Sequence, residues 1–162
     1  VGMIRSISCV LLAVLLILSA TRRPLVADES EPASRSIDQL VTALQDPTAQ
    51  TRIQAIVELA GQGPAAVPAI PLLIGALQDP DGGVRVGAAI CLGELRLEPE
   101  AVMPALLAAM EDTTVADSRR VCTTAGLALG AYGEPAMPAL RTALASDELM
   151  VRRSALAGSA AS

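Results

Sequence analysis

The sequence predicts an all-α protein in which about four consecutive helix pairs stack into a solenoid. The first observation is an apolar stripe at the i, i+3, i+4, i+7 spacing of one helix face, formed by Ile70, Leu73, Ile74 and Leu77. A turn of sequence QDPDGG at residues 78–83 separates this helix from a second apolar segment at residues 84–95. The second observation is that the unit recurs about every 33 residues. Such a period is typical of a solenoid, because one helix pair cannot bury its own apolar side.

The repeat is visible in the stripes and in the turns. Stripes equivalent to that of residues 70–77 occur once before it, at 37–44, and twice after it, at 103–110 and 137–144. The string ALQDP occurs at residues 43–47 and again at 76–80. An arginine stands nine positions after the alanine that opens the turn in three of the units, as Arg52, Arg85 and Arg152.

The segment AVPAIPLLIGALQDPDGGVRVGAAICLGEL, at residues 66–95, resembles a HEAT repeat of the short PBS-lyase HEAT-like kind. The resemblance runs from about Ser36 to the C-terminus. It implies a right-handed superhelix whose second helices line the concave face, where partners commonly bind. It also implies a structural ladder that runs from one unit to the next, in which a turn aspartate accepts backbone amides and is reached by the arginine of the next helix. An electrostatic binding ladder is the alternative. The ladder pairs are Asp46 and Arg52, Asp79 and Arg85, and Asp147 and Arg152.

The composition excludes several chemistries. The chain has no histidine, lysine, asparagine, phenylalanine or tryptophan, and one tyrosine. It therefore has no histidine-dependent nucleophile, no imidazole metal ligand and no Schiff-base lysine. A net charge of −5 and the lack of stacking aromatics disfavour nucleic acid. We predict no enzyme activity, and no catalytic, cofactor-binding or metal-binding residues.

The N-terminus predicts a targeting segment. Residues 7–20 are a nearly unbroken apolar run, shorter than the roughly 20 residues that a membrane span needs, and Arg5 precedes them. We interpret residues 1–27 as a signal peptide, cleaved after Ala20 or, preferably, Ala27, of an exported periplasmic or extracellular protein. The alternative is an uncleaved membrane anchor at residues 5–20.

A flexible polar leader at residues 28–35 and a repeat domain at residues 36–162 follow. In the first pair, Ser36 and Gln39 fit a capping box, and Thr48 is expected to cap the second helix. The apolar face of that second helix is expected to contain Ile53, Ile56, Val57 and Ala60.

The later pairs carry four further expectations. Prolines at residues 71, 104 and 138 predict one bend per unit. Alignment of the third pair with the second requires about one extra helical turn within residues 111–120. The fourth pair ends without a polar cap, which indicates either a fragment of a longer array or an end that docks on something. Gly130 and Gly133 are interpreted as helix caps and turns.

Residues whose side chains could be reactive or bind a ligand are each given a structural role. Cys91 and Cys122 lie too far apart in the repeat for a disulfide, so we predict buried free thiols. Tyr132 is expected to pack under the next unit. Acidic residues such as Glu111 and Asp112 are interpreted as solvated turn residues, because no calcium-loop spacing is present. The adjacent arginines Arg119 and Arg120 are interpreted as helix surface.

The function predicted from the sequence is non-catalytic protein–protein interaction or scaffolding. The contact surface is placed on the outward face of the second helices, near Gln54, Glu58, Glu94 and Arg153. Two alternatives stay open. One is a bilin-lyase-like, chromophore-handling protein, which the PBS-lyase resemblance suggests. The other is the repeat segment of a larger exported enzyme or haem protein.

Overall fold

The computed structural model describes residues 35–116 and 118–160. Within these ranges the chain forms four consecutive helix pairs in one compact unit. The pairs are α1 (Ile37–Ala43) with α2 (Ala49–Ala60), α3 (Ile70–Ala76) with α4 (Gly82–Leu95), α5 (Pro99–Ala109) with α6 (Val121–Gly130), and α7 (Met137–Leu144) with α8 (Leu149–Ser159). We call α1, α3, α5 and α7 the A helices and α2, α4, α6 and α8 the B helices. The predominantly helical fold confirms the all-α prediction.

The pairs are joined through a shared core. Each A helix packs on its own B helix, and the B helices contact one another in chain order, α2 with α4, α4 with α6 and α6 with α8. One continuous hydrophobic cluster runs through all four pairs. Its largest fully buried members include Leu40, Ile56, Leu73, Leu92, Leu106, Leu129 and Leu140. Because neighbouring pairs share this cluster, removing one pair would expose the apolar side of the next.

Small residues allow the B helices to approach closely. A Cβ added to Gly93 of α4 would lie 2.8 Å from the Cα of Ala128 in α6. At the next contact, Gly130 of α6 lies against the backbone of Gly158 in α8, and Gly126 lies one helical turn earlier against the backbone of Ser154. The helix-cap interpretation of Gly130 is therefore incomplete, because this glycine is buried at a helix contact.

The first pair shows one expected cap and one that differs. The capping box before α1 is confirmed, since Ser36 Oγ accepts from the Gln39 N–H and Gln39 Oε1 accepts from the Ser36 N–H. Thr48 occupies the N-cap position of α2, as expected, but its side chain makes no cap hydrogen bond. The Thr48 N–H instead donates to Asp46 Oδ1 at 2.8 Å, so the turn is closed by the aspartate.

The prolines act differently in different pairs. Short 3₁₀ helices at Gly63–Ala69 and Glu134–Ala136 precede α3 and α7, in which Pro71 and Pro138 occupy the first turn. In these two pairs the helical path changes from a 3₁₀ helix to an α-helix next to the proline. In the third pair α5 is a single helix that contains Pro104 in its interior. The bend at each of these prolines stays a prediction.

The third pair contains a hairpin instead of an extra helical turn. Strands β1 (Val115–Ala116) and β2 (Arg119–Arg120) pair antiparallel, with Val115 opposite Arg120. Ser118, in the turn, has a φ of 65°, which a helix does not allow. The preceding threonines and valine are β-branched and favour extended backbone, so the insertion forms a ribbon beside the helices.

Two findings concern the membrane and the N-terminal prediction. Of the helices formed by residues 35–116 and 118–160, none has the length and apolar character needed to span a bilayer. The predicted signal peptide at residues 1–27 and nearly all of the leader lie outside the described residues.

Candidate functional site

The predicted ladder arginine of the first pair connects two turns. Arg52 Nη1 donates to the backbone carbonyl of Asp46, in its own turn, at 2.8 Å. Its Nη2 donates to Oδ1 of Asp79, in the next turn, at 2.7 Å. Both partners of this ion pair are nearly covered, with side-chain exposures of 12% and 11%. The sequence predicts that Asp46 and Arg52 pair. In the structure Arg52 binds the backbone carbonyl of Asp46, and its ion pair is with Asp79 of the following unit.

Arg85 repeats this arrangement one pair later. Its Nη1 donates to the Asp79 carbonyl at 2.6 Å, its Nε donates to Asp112 Oδ2 at 2.6 Å, and its Nη2 donates to Thr114 Oγ1 at 2.8 Å. Asp112 also accepts the Thr114 N–H at 2.8 Å. Burial pushes the pKa of Asp112 upward, but the bonds from Thr114 and Arg85 outweigh it and hold that pKa below its ordinary value.

Asp112 is a ladder residue that sequence reasoning missed. The sequence analysis interprets Asp112 as a solvated turn acid, and the third turn does not contain the ALQDP string. A spacing signal was available, since Arg52 to Asp79 and Arg85 to Asp112 are both separated by 27 residues. For each arginine, the aspartate that pairs with it lies 27 residues later, in the turn of the next unit.

The ladder is interrupted before the fourth turn. Helix α6 contains no arginine, and Asp147 makes no ion pair with a described residue. Arg152 Nη1 donates to the carbonyls of Ser146 and Asp147 at 2.7 and 2.8 Å. The pair of Asp147 and Arg152 therefore closes its own turn and does not link two units.

The four predicted surface residues divide into two pairs. Gln54 and Glu58 lie on α2, where Glu58 forms a two-pronged ion pair with Arg35 at 2.6 and 2.9 Å. That contact holds the pKa of Glu58 below its ordinary value. Glu94 and Arg153 both line one large groove, to which neither Gln54 nor Glu58 contributes.

This groove, which we call the arginine groove, has a volume of about 680 Å³ and is lined by α4, the β1–β2 hairpin, α6 and α8. Its apolar lining includes Ile90, Leu127, Ala128 and Ala131. Its charged lining consists of Glu94 and four arginines, Arg96, Arg119, Arg120 and Arg153. The interpretation of Arg119 and Arg120 as helix surface is wrong, because they form a strand.

A second groove of about 350 Å³ adjoins it between α2 and α4. Ile90 and Glu94 line both grooves, so the two share the same B-helix face. Val57 also lines the second groove and is 66% exposed. The expectation that Val57 belongs to the apolar face of α2 is wrong, because its side chain is exposed, whereas the adjacent Ile56 is buried.

Comparison with protein families identifies the repeat. A family model described as HEAT repeats matches residues 37–125, slightly more than half of the chain. The chain belongs to the HEAT repeat family. The match extends from α1 into α6, and a fourth helix pair, α7 with α8, follows it. A search of curated proteins found no match.

The described part of this HEAT domain contains two cysteines. Among those residues, no group of three or more cysteines and acids is placed to hold a metal ion. Cys91 and Cys122 are buried free thiols, as the sequence predicts. Burial, reinforced by the negative charge of Glu94, raises the pKa of Cys91 to about 12. At neutral pH this thiol is therefore protonated and not nucleophilic.

Tyr132 links the third HEAT pair to the second. Its hydroxyl lies 3.0 Å from the carbonyl oxygens of Leu92 and Leu97, at the end of α4, and donates to them. The sequence expectation that Tyr132 packs under the next unit is wrong, since it reaches back to the preceding one. Burial is the main reason that its pKa is raised to about 12.

Cys91→Ala is expected to reduce the alkaline sensitivity of the fold. The Cys91 pKa is about 12 in the folded state and about 8.5 in an unfolded chain, so only the unfolded state loses the proton between these values. In the unsubstituted chain, titration of this thiol should lower the free energy of unfolding by about 1.4 kcal/mol per pH unit above about pH 9. The Cys91→Ala variant should lack this contribution. Urea titrations at several pH values would measure this slope.

The clearest window is between about pH 9 and 10, below the ordinary pKa of tyrosine, where Tyr132 does not yet contribute. The cavity left by the alanine substitution should lower stability equally at every pH. An unchanged slope in the Cys91→Ala variant would contradict the assignment.

Proposed function

We propose that this HEAT chain is a non-catalytic protein–protein interaction or scaffold module of an exported protein. The proposal includes a right-handed solenoid arrangement of the four pairs, with the B helices forming the binding face. HEAT repeats in general mediate protein–protein interaction. The observation that carries the proposal for this chain is the pair of adjoining grooves on the B-helix face.

Exposed apolar side chains on this face support the proposal. Val57 of α2 and Leu127 of α6 are 66% and 45% exposed, and each lines one of the grooves. Interfaces place apolar side chains at their centre and polar side chains around them. The ladder arginines do not compete for this role, because Arg52 and Arg85 are occupied by turns within the domain.

The exported location is supported by the sequence pattern alone. Residues 1–27 have the positive start, the short apolar run and the small residues of a signal peptide. Anchoring through residues 5–20 is the alternative, and it leaves the same domain outside the membrane. Fractionation of cells that express the full chain would separate a released protein from an anchored one.

Site-specific photo-crosslinking tests the binding face. A photoreactive residue at Val57 or Leu127, each of which lines one of the grooves, should form adducts with a partner protein in the source cells. The same group at Arg141, an exposed position of the A helix α7 that lines neither groove, should not. Adducts that form equally well at Arg141 would contradict the proposal. Loss of the Leu127 adduct on addition of Val57→Glu would show that the two grooves act together.

A further inference from the structure

We infer that the arginine groove binds an acidic peptide segment that carries an apolar side chain. This inference rests on the proposed function and specifies the chemistry of the partner. It depends on three properties of the groove: its excess of arginine over acidic side chains among the described residues, its apolar floor and its lack of aromatic side chains.

The groove is positive in an acidic chain. Four arginines and one glutamate line it, whereas the whole chain has a net charge of −5. None of these arginines forms an ion pair with a described residue, in contrast to Arg35, Arg52 and Arg85. Their guanidinium groups therefore present donors that the described part of the domain does not use, and a carboxylate is the group that fits such donors in two-pronged geometry.

The four arginines come from different elements. Arg119 and Arg120 form strand β2 of the inserted hairpin, Arg96 follows α4 in a left-handed conformation with a φ of 51°, and Arg153 lies on the exposed side of α8. The insertion that interrupts the repeat thus adds two positive charges to the B-helix face. In the first two pairs no such insertion is present.

An apolar floor accompanies these charges. Leu127 is 45% exposed in the groove, and Ile90, Ala128 and Ala131 line it as well. A ligand that is only charged would leave these side chains in water, whereas a peptide with alternating acidic and apolar residues satisfies both surfaces. A volume of about 680 Å³ is in the range of sites that enclose a drug-sized ligand, which corresponds to a few peptide side chains.

A peptide fits these features better than a nucleic acid. No aromatic residue lines the groove, so bases have no stacking platform. The remaining acidic surface of the domain would also repel a long phosphate backbone. A leucine side chain fits the apolar floor of the groove, and a glutamate side chain fits its arginines. Unlike a nucleic acid, a short peptide with these residues does not need an extended basic surface.

Fluorescence anisotropy with three short synthetic peptides tests the inference on the purified chain. The peptides combine leucine with glutamate, with glutamine or with lysine. The glutamate peptide should bind at least about tenfold more tightly than the other two, and its affinity should fall as salt is raised. Equal binding of the glutamate and glutamine peptides would overturn the inference, as would tighter binding of a single-stranded oligonucleotide.

Substitutions in the groove should act in opposite directions. Arg119→Glu combined with Arg153→Glu should lower the affinity for the glutamate peptide by about tenfold or more. Glu94→Gln should raise this affinity about twofold. Arg141→Glu makes the same kind of charge change outside the groove and should leave the affinity within about twofold of the unsubstituted chain. Equal losses in the Arg141→Glu variant would overturn the inference, since they would reflect only net charge.

One competing occupant is the chain's own acidic leader. Asp28→Asn, Glu29→Gln and Glu31→Gln together should leave the peptide affinity unchanged. A clear gain in affinity would assign the groove to the leader and overturn the inference. The binding and crosslinking tests are also separable: Leu127 adducts without glutamate-peptide binding would refute the inferred chemistry alone, whereas absent adducts from the whole B-helix face would refute the proposed function.

Discussion

Gly130→Ala is expected to lower the free energy of unfolding by about 2–3 kcal/mol. The new Cβ would collide with the carbonyl oxygen of Gly158, and it would lie 2.7 Å from its carbonyl carbon and 2.8 Å from its Cα. All three atoms belong to the backbone of α8, so no side-chain rotation can relieve the contact. The helices α6 and α8 must therefore move apart, and this separates side chains of the shared core on both sides of the contact. Urea unfolding followed by helical circular dichroism measures the loss.

Gly75→Ala is the matched control. Gly75 also lies inside a helix, α3, but it is exposed and a Cβ there would meet no atom within 4 Å. Alanine is a better helix former than glycine, so this variant should gain roughly 0.5–1 kcal/mol. If Gly130→Ala were as stable as Gly75→Ala, the close approach of α6 and α8 would be refuted.

The contrast between these glycines shows what the sequence can predict about the fold. The apolar stripe of α3 identifies Leu73 as core, because helical periodicity alone decides which face is buried. The sequence predicts a cap at Gly130, because the neighbouring residues alone indicate that this glycine lies near the end of a helix. Its contact with Gly158, which lies in the next helix pair, depends on where α8 crosses α6, and no local pattern specifies that crossing.

The candidate site divides in the same way. The ladder arginines recur at a fixed distance from the turn, so Arg52 and Arg85 are identifiable from the period. The arginine groove results from the irregular part of the chain, the hairpin at residues 115–120, which periodicity does not describe. Glu94 and Arg153, which the sequence predicts on one face, both line this groove, but Arg119 and Arg120 reach it from the hairpin, which departs from the repeat.

Arg85→Met is expected to lower the free energy of unfolding by about 2–4 kcal/mol. The substitution keeps the apolar stem and removes the guanidinium, which binds Asp112 and Thr114 of the third turn and the Asp79 carbonyl of its own turn. Asp112 then remains partly covered without its cation. Arg141→Met, at an exposed position of α7 that forms no ion pair with a described residue, is the control and should change stability by less than about 0.5 kcal/mol.

A double-mutant cycle with Asp112→Asn separates the ion pair from the carbonyl contact. If the charges are coupled, the two substitutions together should lower the free energy of unfolding by less than the sum of their separate effects.

The pH dependence of stability gives an independent check of the ion pair between Arg85 and Asp112. The pKa of Asp112 is lowered in the folded state, so its contribution is present above the ordinary aspartate pKa of about 3.9 and is lost as the pH falls through the folded value. The stability difference between Arg85→Met and the unsubstituted chain should therefore shrink at acidic pH, while the part that comes from the Asp79 carbonyl persists. A difference that is constant down to the acid limit would show that Arg85 stabilises the domain through the carbonyl contact alone, and that the ladder does not depend on charge.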